Sequence, residues 1–154
     1  MIKKIYIDTS VFGGYFDTEF SEETIPFFEK LVIDNIEIIV SDVLELEIYR
    51  APDFIIDFYE TMKNINKVEL TYEVRTLAQK YIDENVVGQT SLADCQHIAL
   101  ATINNVDVLA SWNFKHIVNL ERIRGYNSIN IREGYKMIEI RTPREIFNYG
   151  NNDK

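Results

Sequence analysis

The chain has little cysteine, and it has no hydrophobic run long enough to cross a membrane. Its 154 residues include one cysteine, Cys95, which excludes an internal disulfide framework. Lys, Asp, Glu or Asn interrupts every apolar run well short of about 18 residues, so no transmembrane helix is expected. Lys3 and Lys4 precede only a short apolar run that ends in Asp8, which argues against a signal peptide. We therefore expect a cytoplasmic protein.

The size and composition of the chain indicate one globular domain. The hydrophobic fraction is 46% and the charged fraction is 27%, and 154 residues are enough to bury a sizeable core. The sequence contains no internal repeat, low-complexity tract or linker. We predict a single domain over residues 1–150, followed by a short tail, 151–154.

Charge is distributed unevenly along the chain. The net charge of -9 argues against a nucleic-acid partner, and residues 1–112 carry 8 basic and 20 acidic side chains. Residues 113–150 instead carry 7 basic and 4 acidic side chains. This basic section could contact phosphates, but a solvated surface explains it as well because it has no dense Lys/Arg run. Its candidate cations are Arg122, Arg124, Arg132, Lys136, Arg141 and Arg144.

Apolar periodicity predicts alternating strands and helices. The order is strand, helix, strand, several helices, strand, which indicates an α/β fold with a central, mainly parallel β-sheet flanked by α-helices. A loop with Gly13 and Gly14 is expected after the first strand. Strands are predicted at 5–7, 36–40 and 107–110, with extended pieces at 68–70 and 137–140. Helices are predicted at 21–34, from Ser41 or Asp42 to about 50, at 54–65, 72–84 (capped by Thr71) and 90–103, and from Thr142.

Asp8 ends the first predicted strand, in the run Ile-Tyr-Ile-Asp-Thr-Ser. Side chains at the carboxyl ends of parallel strands point into the crevice where ligands bind. Carboxylates gathered there repel one another unless a hard cation lies among them. Taken alone, Asp8 is more often a turn former or helix cap than a ligand, and the same short pattern also occurs where Asp is a phosphoryl-accepting nucleophile.

Two glutamates follow the second predicted strand, and helical geometry separates them. They are two residues apart, or about 200° around a helix, so they face opposite ways. Glu45 lies three residues after Asp42, which fits a capping box. Glu47 lies next to Ile48 on the apolar face, where a carboxylate must be paired, bind a metal or reach solvent at the rim.

Asp94 lies near the start of a later helix and shares a face with Ile98 and Ala101, so we expect it to point inward. Ser91 and Asp94 also form a capping-box pattern, which does not exclude metal binding. His97 is more often a satisfied helix histidine than a ligand, and Cys95 is expected to pack as a small hydrophobe.

Polar side chains also follow the last strong strand. Ser111 and Asn113 could simply close a turn there, and Trp112 is expected in the core or at its rim. His116 could contact phosphate, act as an acid or cap a short helix, and the sequence does not choose among these.

Four of these segments together resemble the PIN-domain family. They are Ile-Asp-Thr-Ser-Val-Phe, Ser-Asp-Val-Leu-Glu-Leu-Glu-Ile, Asp-Cys-Gln-His-Ile-Ala-Leu-Ala and Leu-Ala-Ser-Trp-Asn-Phe-Lys-His. The similarity extends from Ile5 to about Phe147. Ser41 and Glu47 have the spacing usual for the family's glutamate, which favours Glu47 over Glu45.

The resemblance implies a small α/β domain that binds Mg²⁺ or Mn²⁺ and hydrolyses phosphodiester bonds, usually in RNA. Many bacterial and archaeal members resemble VapC-type toxins paired with an antitoxin protein, and we expect a homodimer. The implied metal ligands are Asp8, Glu47 and Asp94, with Asn113 positioning metal or water. Phosphate contacts are implied for Thr9, Ser10, Ser111 and His116.

The sequence departs from the family pattern at the fourth acidic position. Many members have an acid where this chain has Asn113, and His116 stands where a further Asp often occurs. An amide lacks the charge to hold a second ion tightly, so we predict one firmly bound metal. A catalytically weak module that binds RNA or a protein is the alternative. A phosphatase with Asp8 as nucleophile fits less well, because Ser10 occupies the place of a second acid.

Overall fold

The computed structural model of the protein describes residues 1–88 and 91–152, in which a five-stranded sheet is flanked by helices. The strand order is β3-β2-β1-β4-β5, and every pairing between neighbours is parallel. The predicted α/β fold with a parallel central sheet is therefore confirmed. The strands are β1 (Lys4–Ile7), β2 (Glu37–Ser41), β3 (Ile65–Val68), β4 (Val108–Ala110) and β5 (Ile140–Arg141).

The helices occupy most of the remaining described chain. None of those described is long and apolar enough to cross a membrane. They are α1 (Thr9–Gly14), α2 (Ser21–Ile33), α3 (Asp42–Ile48), α4 (Asp53–Glu60), α5 (Tyr72–Asp83), α6 (Leu92–Ile103), α7 (Leu120–Arg132) and α8 (Pro143–Asn152).

The two faces of the sheet support two hydrophobic clusters, because successive strand residues point to opposite sides. Tyr6, Ile39 and Leu109 pack with buried residues of α5, α6 and α7. Their strand neighbours, such as Ile7 and Val40, pack with buried residues of α1, α2 and the end of α3. Every central strand is thus buried on both faces, as expected for a parallel sheet.

Three helix starts agree with the predicted caps. The Ser41 hydroxyl accepts a hydrogen bond from the Leu44 N–H at 3.1 Å, and Thr71 caps α5 in the same way. At α8, Thr142 and Glu145 exchange hydrogen bonds in a capping box. The capping box predicted for Asp42 and Glu45 is wrong, because the Asp42 side chain instead accepts the Leu70 N–H.

Several element boundaries differ from the prediction for tertiary reasons. The helix predicted at 54–65 ends at Glu60, because Ile65–Val68 pairs with β2 instead of continuing the helix. The extended piece predicted at 68–70 corresponds to β3, which ends at Val68. The piece predicted at 137–140 corresponds to the two-residue β5, which begins at Ile140. Thr90, the predicted first residue of a helix, lies outside the described residues.

Two helices were not predicted at all. The segment with Gly13 and Gly14 forms α1 rather than a loop, and α7 contains Gly125 in its middle. A Cβ atom at Gly125 would lie 2.9 Å from a Val86 methyl, and one at Gly14 would lie 2.8 Å from the Trp112 ring. Both glycines therefore permit close packing, a role that sequence alone does not distinguish from turn formation.

Gly14 and Gly13 provide a matched test of this packing role. We expect Gly14→Ala to destabilise the fold by about 1–3 kcal/mol, because the added methyl would displace Trp112. Gly13→Ala should be neutral or stabilising by up to about 1 kcal/mol, since nothing apart from its chain neighbours and its own helix backbone lies within 4 Å of its Cβ position, and alanine favours a helix. Urea unfolding of both variants measures the difference, and equal free energies of unfolding would contradict the assignment.

Candidate active site

The candidate site lies at the carboxyl ends of β1 and β4, where the strand order reverses. Strands β2 and β3 lie on one side of β1, and β4 and β5 lie on the other. In open α/β sheets this arrangement leaves a crevice beyond the carboxyl ends of the two adjacent strands, because the segments that follow them leave in opposite directions. The Asp8 N–H donates to the Ala110 carbonyl at 3.2 Å, which holds the residues that follow the two strands side by side.

Asp8 is a buried carboxylate, with 4% of its surface exposed. The Ser10 hydroxyl donates to Oδ1 at 2.6 Å, and the Ser111 hydroxyl donates to Oδ2 at 2.6 Å. Burial raises the pKa of Asp8, and His97 and the two serines only partly oppose this effect. A carboxylate in this environment is stabilised in its charged form by a cation nearby.

Glu47 accepts two hydrogen bonds on one oxygen. The Thr9 hydroxyl lies 2.7 Å from Oε1, and Nε2 of His97 lies 2.6 Å from the same atom. Burial raises the pKa of Glu47, but these interactions with His97 and Thr9 outweigh it and lower the pKa below its usual value. Glu45 contacts Tyr59 and Lys67 instead, so the structure brings Glu47, and not Glu45, to Thr9.

A chain of buried polar groups extends behind Glu47. Nδ1 of His97 lies 2.7 Å from the Tyr6 hydroxyl, which lies 2.7 Å from the Ser41 hydroxyl. His97 is therefore a satisfied buried histidine, as predicted. Sequence reasoning missed Tyr6, although its position two residues before Asp8 on an alternating strand could have identified it.

Asp94 interacts with His116 at the other side of the site. Nδ1 of His116 lies 3.1 Å from Asp94 Oδ2 and 3.1 Å from the Ser91 hydroxyl. The two side chains are about three quarters buried, with 23% and 22% exposure. The predicted Ser91–Asp94 capping box is wrong, because Ser91 makes no side-chain cap and contacts His116 instead.

The fourth position, Asn113, closes the turn after β4. Its side-chain oxygen accepts the N–H groups of Lys115 at 3.2 Å and His116 at 3.0 Å. Its own N–H donates to the Ser111 hydroxyl at 2.9 Å. Trp112 is buried and donates from its indole to Thr24, in agreement with the predicted core position.

The donor chemistry of the site fits a hard cation. Asp8, Glu47 and Asp94 offer carboxylate oxygens, which Mg²⁺ and Mn²⁺ prefer, and burial of Asp8 favours a neighbouring positive charge. Their hydrogen bonds nevertheless go to serine, threonine and histidine partners. Within 1–88 and 91–152, no three His, Cys, Asp or Glu side chains converge as a preformed cage.

Comparison with known families identifies the fold. A sequence model of the PIN domain matches residues 5–115, which is more than two thirds of the chain. This chain belongs to the PIN domain family. No match was found among curated proteins.

A solved structure independently supports the fold of this PIN domain. The neighbour is a chain of the crystal structure of VapBC2 from Rickettsia felis bound to a DNA fragment from their promoter. The TM-score is 0.59 at 12% sequence identity, and the alignment covers 90% of this chain and 98% of the other. At this identity the likeness concerns the fold alone.

We expect the buried charge of Asp8 to lower the free energy of unfolding of the metal-free PIN domain. We expect Asp8→Asn to raise the free energy of unfolding by an amount on the order of 1 kcal/mol, because the amide carries no charge to desolvate and the serine hydroxyl that faces its NH2 group can turn to donate to the other serine, 3.4 Å away. Asp57→Asn, at an exposed position on α4, should show no such gain. Thermal unfolding in a chelator measures both variants, and a lower melting temperature for Asp8→Asn would contradict this account.

Proposed function

We propose that this PIN domain is a divalent-metal-dependent ribonuclease that uses Mg²⁺ or Mn²⁺. The observation that carries the proposal is the buried Asp8 carboxylate at the point where the strand order reverses. Glu47 is linked to this region by its hydrogen bonds with Thr9 and His97. The charge of Asp94 acts on Asp8, so Asp94 lies near it as well. Membership of the PIN family supports nuclease chemistry.

Asp8, Glu47 and Asp94 would hold the cation, directly or through waters. When bound, the ion would supply Lewis acidity to the scissile phosphate and to the attacking water. The protein's own contribution is orientation: Ser10 and Ser111 hold the Asp8 carboxylate from both sides. Of the groups proposed to contact phosphate, His116 is partly exposed beside Asp94, and Thr9 and Ser10 begin α1.

The acidity of the chain makes the metal important for an anionic substrate. Arg141, Arg144 and Arg132, in the basic section, form ion pairs with nearby glutamates. These pairs favour the solvated-surface interpretation of that section over a dedicated phosphate-binding patch. Positive charge for RNA would therefore come mainly from the bound ion.

We also propose a protein partner of the antitoxin kind and a homodimer, acting in the cytoplasm. The solved neighbour is described as VapBC2 bound to promoter DNA, which supports an analogous arrangement for this chain. Exposed apolar side chains add support: Leu46 lies on α3, the helix that carries Glu47, and Tyr49 directly follows that helix. Phe16, two residues after α1, and Phe54, on α4, are both exposed, and the centres of their rings lie 4.9 Å apart.

A catalytically weak binding module is the second candidate function. Asn113 favours it, because this position lacks an acid and its oxygen already accepts two backbone N–H groups. A phosphatase that uses Asp8 as nucleophile has less support, since serine hydroxyls occupy both carboxylate oxygens.

Substitution of the carboxylates tests the nuclease proposal. We expect Asp8→Asn and Asp94→Asn each to lower the rate of Mn²⁺-dependent RNA cleavage by at least about a hundredfold, since each removes charge that would hold the ion. Asp57→Asn is the control and should cleave like the wild type. Undiminished cleavage by both site variants would overturn the assignment.

Asn113→Asp tests the fourth position separately. An aspartate can accept the same two backbone N–H groups while adding a negative charge. We expect calorimetric titration to show Mn²⁺ binding about tenfold tighter, or a second bound ion, as ligand charge increases. Unchanged affinity and stoichiometry would show that position 113 does not face the ion. Binding that appears only in Asn113→Asp would favour the weak-module alternative.

A further inference from the structure

Glu47 is the most exposed of the three proposed metal ligands, yet its orientation is fixed on one side. Its side chain is 37% exposed, compared with 23% for Asp94. Both of its hydrogen bonds among the described residues, from Thr9 and His97, fall on Oε1. This leaves Oε2 as the oxygen available to a ligand.

The hydrogen bonds behind Glu47 are consistent with one direction of donation. The Ser41 oxygen accepts the Leu44 N–H, so its hydroxyl hydrogen is free to donate to Tyr6. The Tyr6 hydroxyl can then donate to Nδ1 of His97, which places the imidazole hydrogen on Nε2, facing Glu47. In this arrangement, every donor in the hydrogen-bonded path from Ser41 to Glu47 has an acceptor.

The hydrogen-bonded path from Ser41 to Glu47 joins four separate elements of the fold. Tyr6 lies on β1, His97 on α6 and Glu47 on α3, while Ser41 ends β2. Tyr6 is completely buried and His97 is 2% exposed, so water does not compete for their hydrogen bonds. A buried, fully satisfied path of this kind can hold an otherwise mobile glutamate in one rotamer.

We propose that His97 and Tyr6 are positioning residues for Glu47, with Tyr6 holding the imidazole ring in place and His97 fixing the carboxylate. The inference rests on the proposed metal-binding role of Glu47. Partners that fix a metal ligand's orientation typically contribute about 10- to 100-fold in metal affinity. A merely structural role would lower stability and leave the metal affinity of the folded protein unchanged.

Tyr59 provides a close control, because its hydrogen-bond partner Glu45 lies on the same helix as Glu47. Tyr59 is buried and its hydroxyl donates to Glu45 Oε2 at 2.7 Å, but Glu45 pairs with Lys67 away from Thr9. Tyr59→Phe and Tyr6→Phe therefore remove the same group from similarly buried tyrosines. Only the Tyr6 change alters a path that ends at a proposed ligand.

The test is calorimetric titration of the full chain with Mn²⁺. We expect His97→Leu to weaken binding by about 10- to 100-fold, and Tyr6→Phe by about tenfold. His97→Gln restores a donor toward Glu47, so we expect it to regain at least half of the lost binding free energy. Tyr59→Phe should bind like the wild type. Thermal unfolding verifies that each variant is folded, and Tyr6→Phe and His97→Gln keep the test decisive if His97→Leu does not fold.

Nitrogen NMR supplies a readout that needs no metal. The chain has two histidines, so His97→Gln assigns their signals directly. We expect His97 in the wild type to carry its hydrogen on Nε2, facing the Glu47 carboxylate, and Tyr6→Phe to shift the Nδ1 signal because that nitrogen loses its hydrogen-bond donor.

The outcomes separate this inference from the proposed function. Wild-type binding that is unchanged in folded His97→Gln, His97→Leu and Tyr6→Phe would overturn the positioning role alone. Equal weakening by Tyr59→Phe would overturn it too. A wild type that binds no Mn²⁺ would reject the proposed metal role and this inference together.

Discussion

The parallel pairing of β1 with β4 is the constraint on which the site depends. The chain builds the sheet outward from β1 in one direction and then in the other, so the first and fourth strands end side by side. This brings Asp8 and Ser111, distant in sequence, within 2.6 Å through their side chains. A carboxylate buried at that junction is held by hydroxyl donors but remains short of positive charge, which is why the junction suits a cation.

Helix α3 shows how one short segment divides its carboxylates between stability and the site. Glu45 bonds to Tyr59 and Lys67, a partly exposed arrangement that joins α3 to α4 and β3. Glu47 faces the other way and bonds to Thr9 and His97. The same side chain type thus serves different purposes because two residues along a helix amount to about 200° of rotation.

Sequence periodicity predicted the strands β1, β2 and β4 well, because each is buried and its register is fixed by both faces. Periodicity failed where contacts between distant parts of the chain determine the structure. Strand β3 forms by pairing with β2, and the glycine at position 14 of α1 makes room for the Trp112 ring instead of forming a turn. Helical geometry separated Glu47 from Glu45, but the contacts of Glu47 with Thr9 and of Asp94 with His116 were not predicted. His116 comes from a loop, whose course no periodic pattern defines.

The arrangement at Asn113 bears on how many ions such a site can hold. Its oxygen is engaged by two backbone N–H groups, and these hold His116 beside Asp94. A neutral amide that shapes this turn places a histidine, rather than a further carboxylate, at the edge of the site. Two ions in one crevice require enough negative charge to offset their mutual repulsion. The proposed set of three carboxylates, with a histidine at its edge, therefore carries charge for one divalent ion rather than two, and the phosphate of a substrate would bring further negative charge itself.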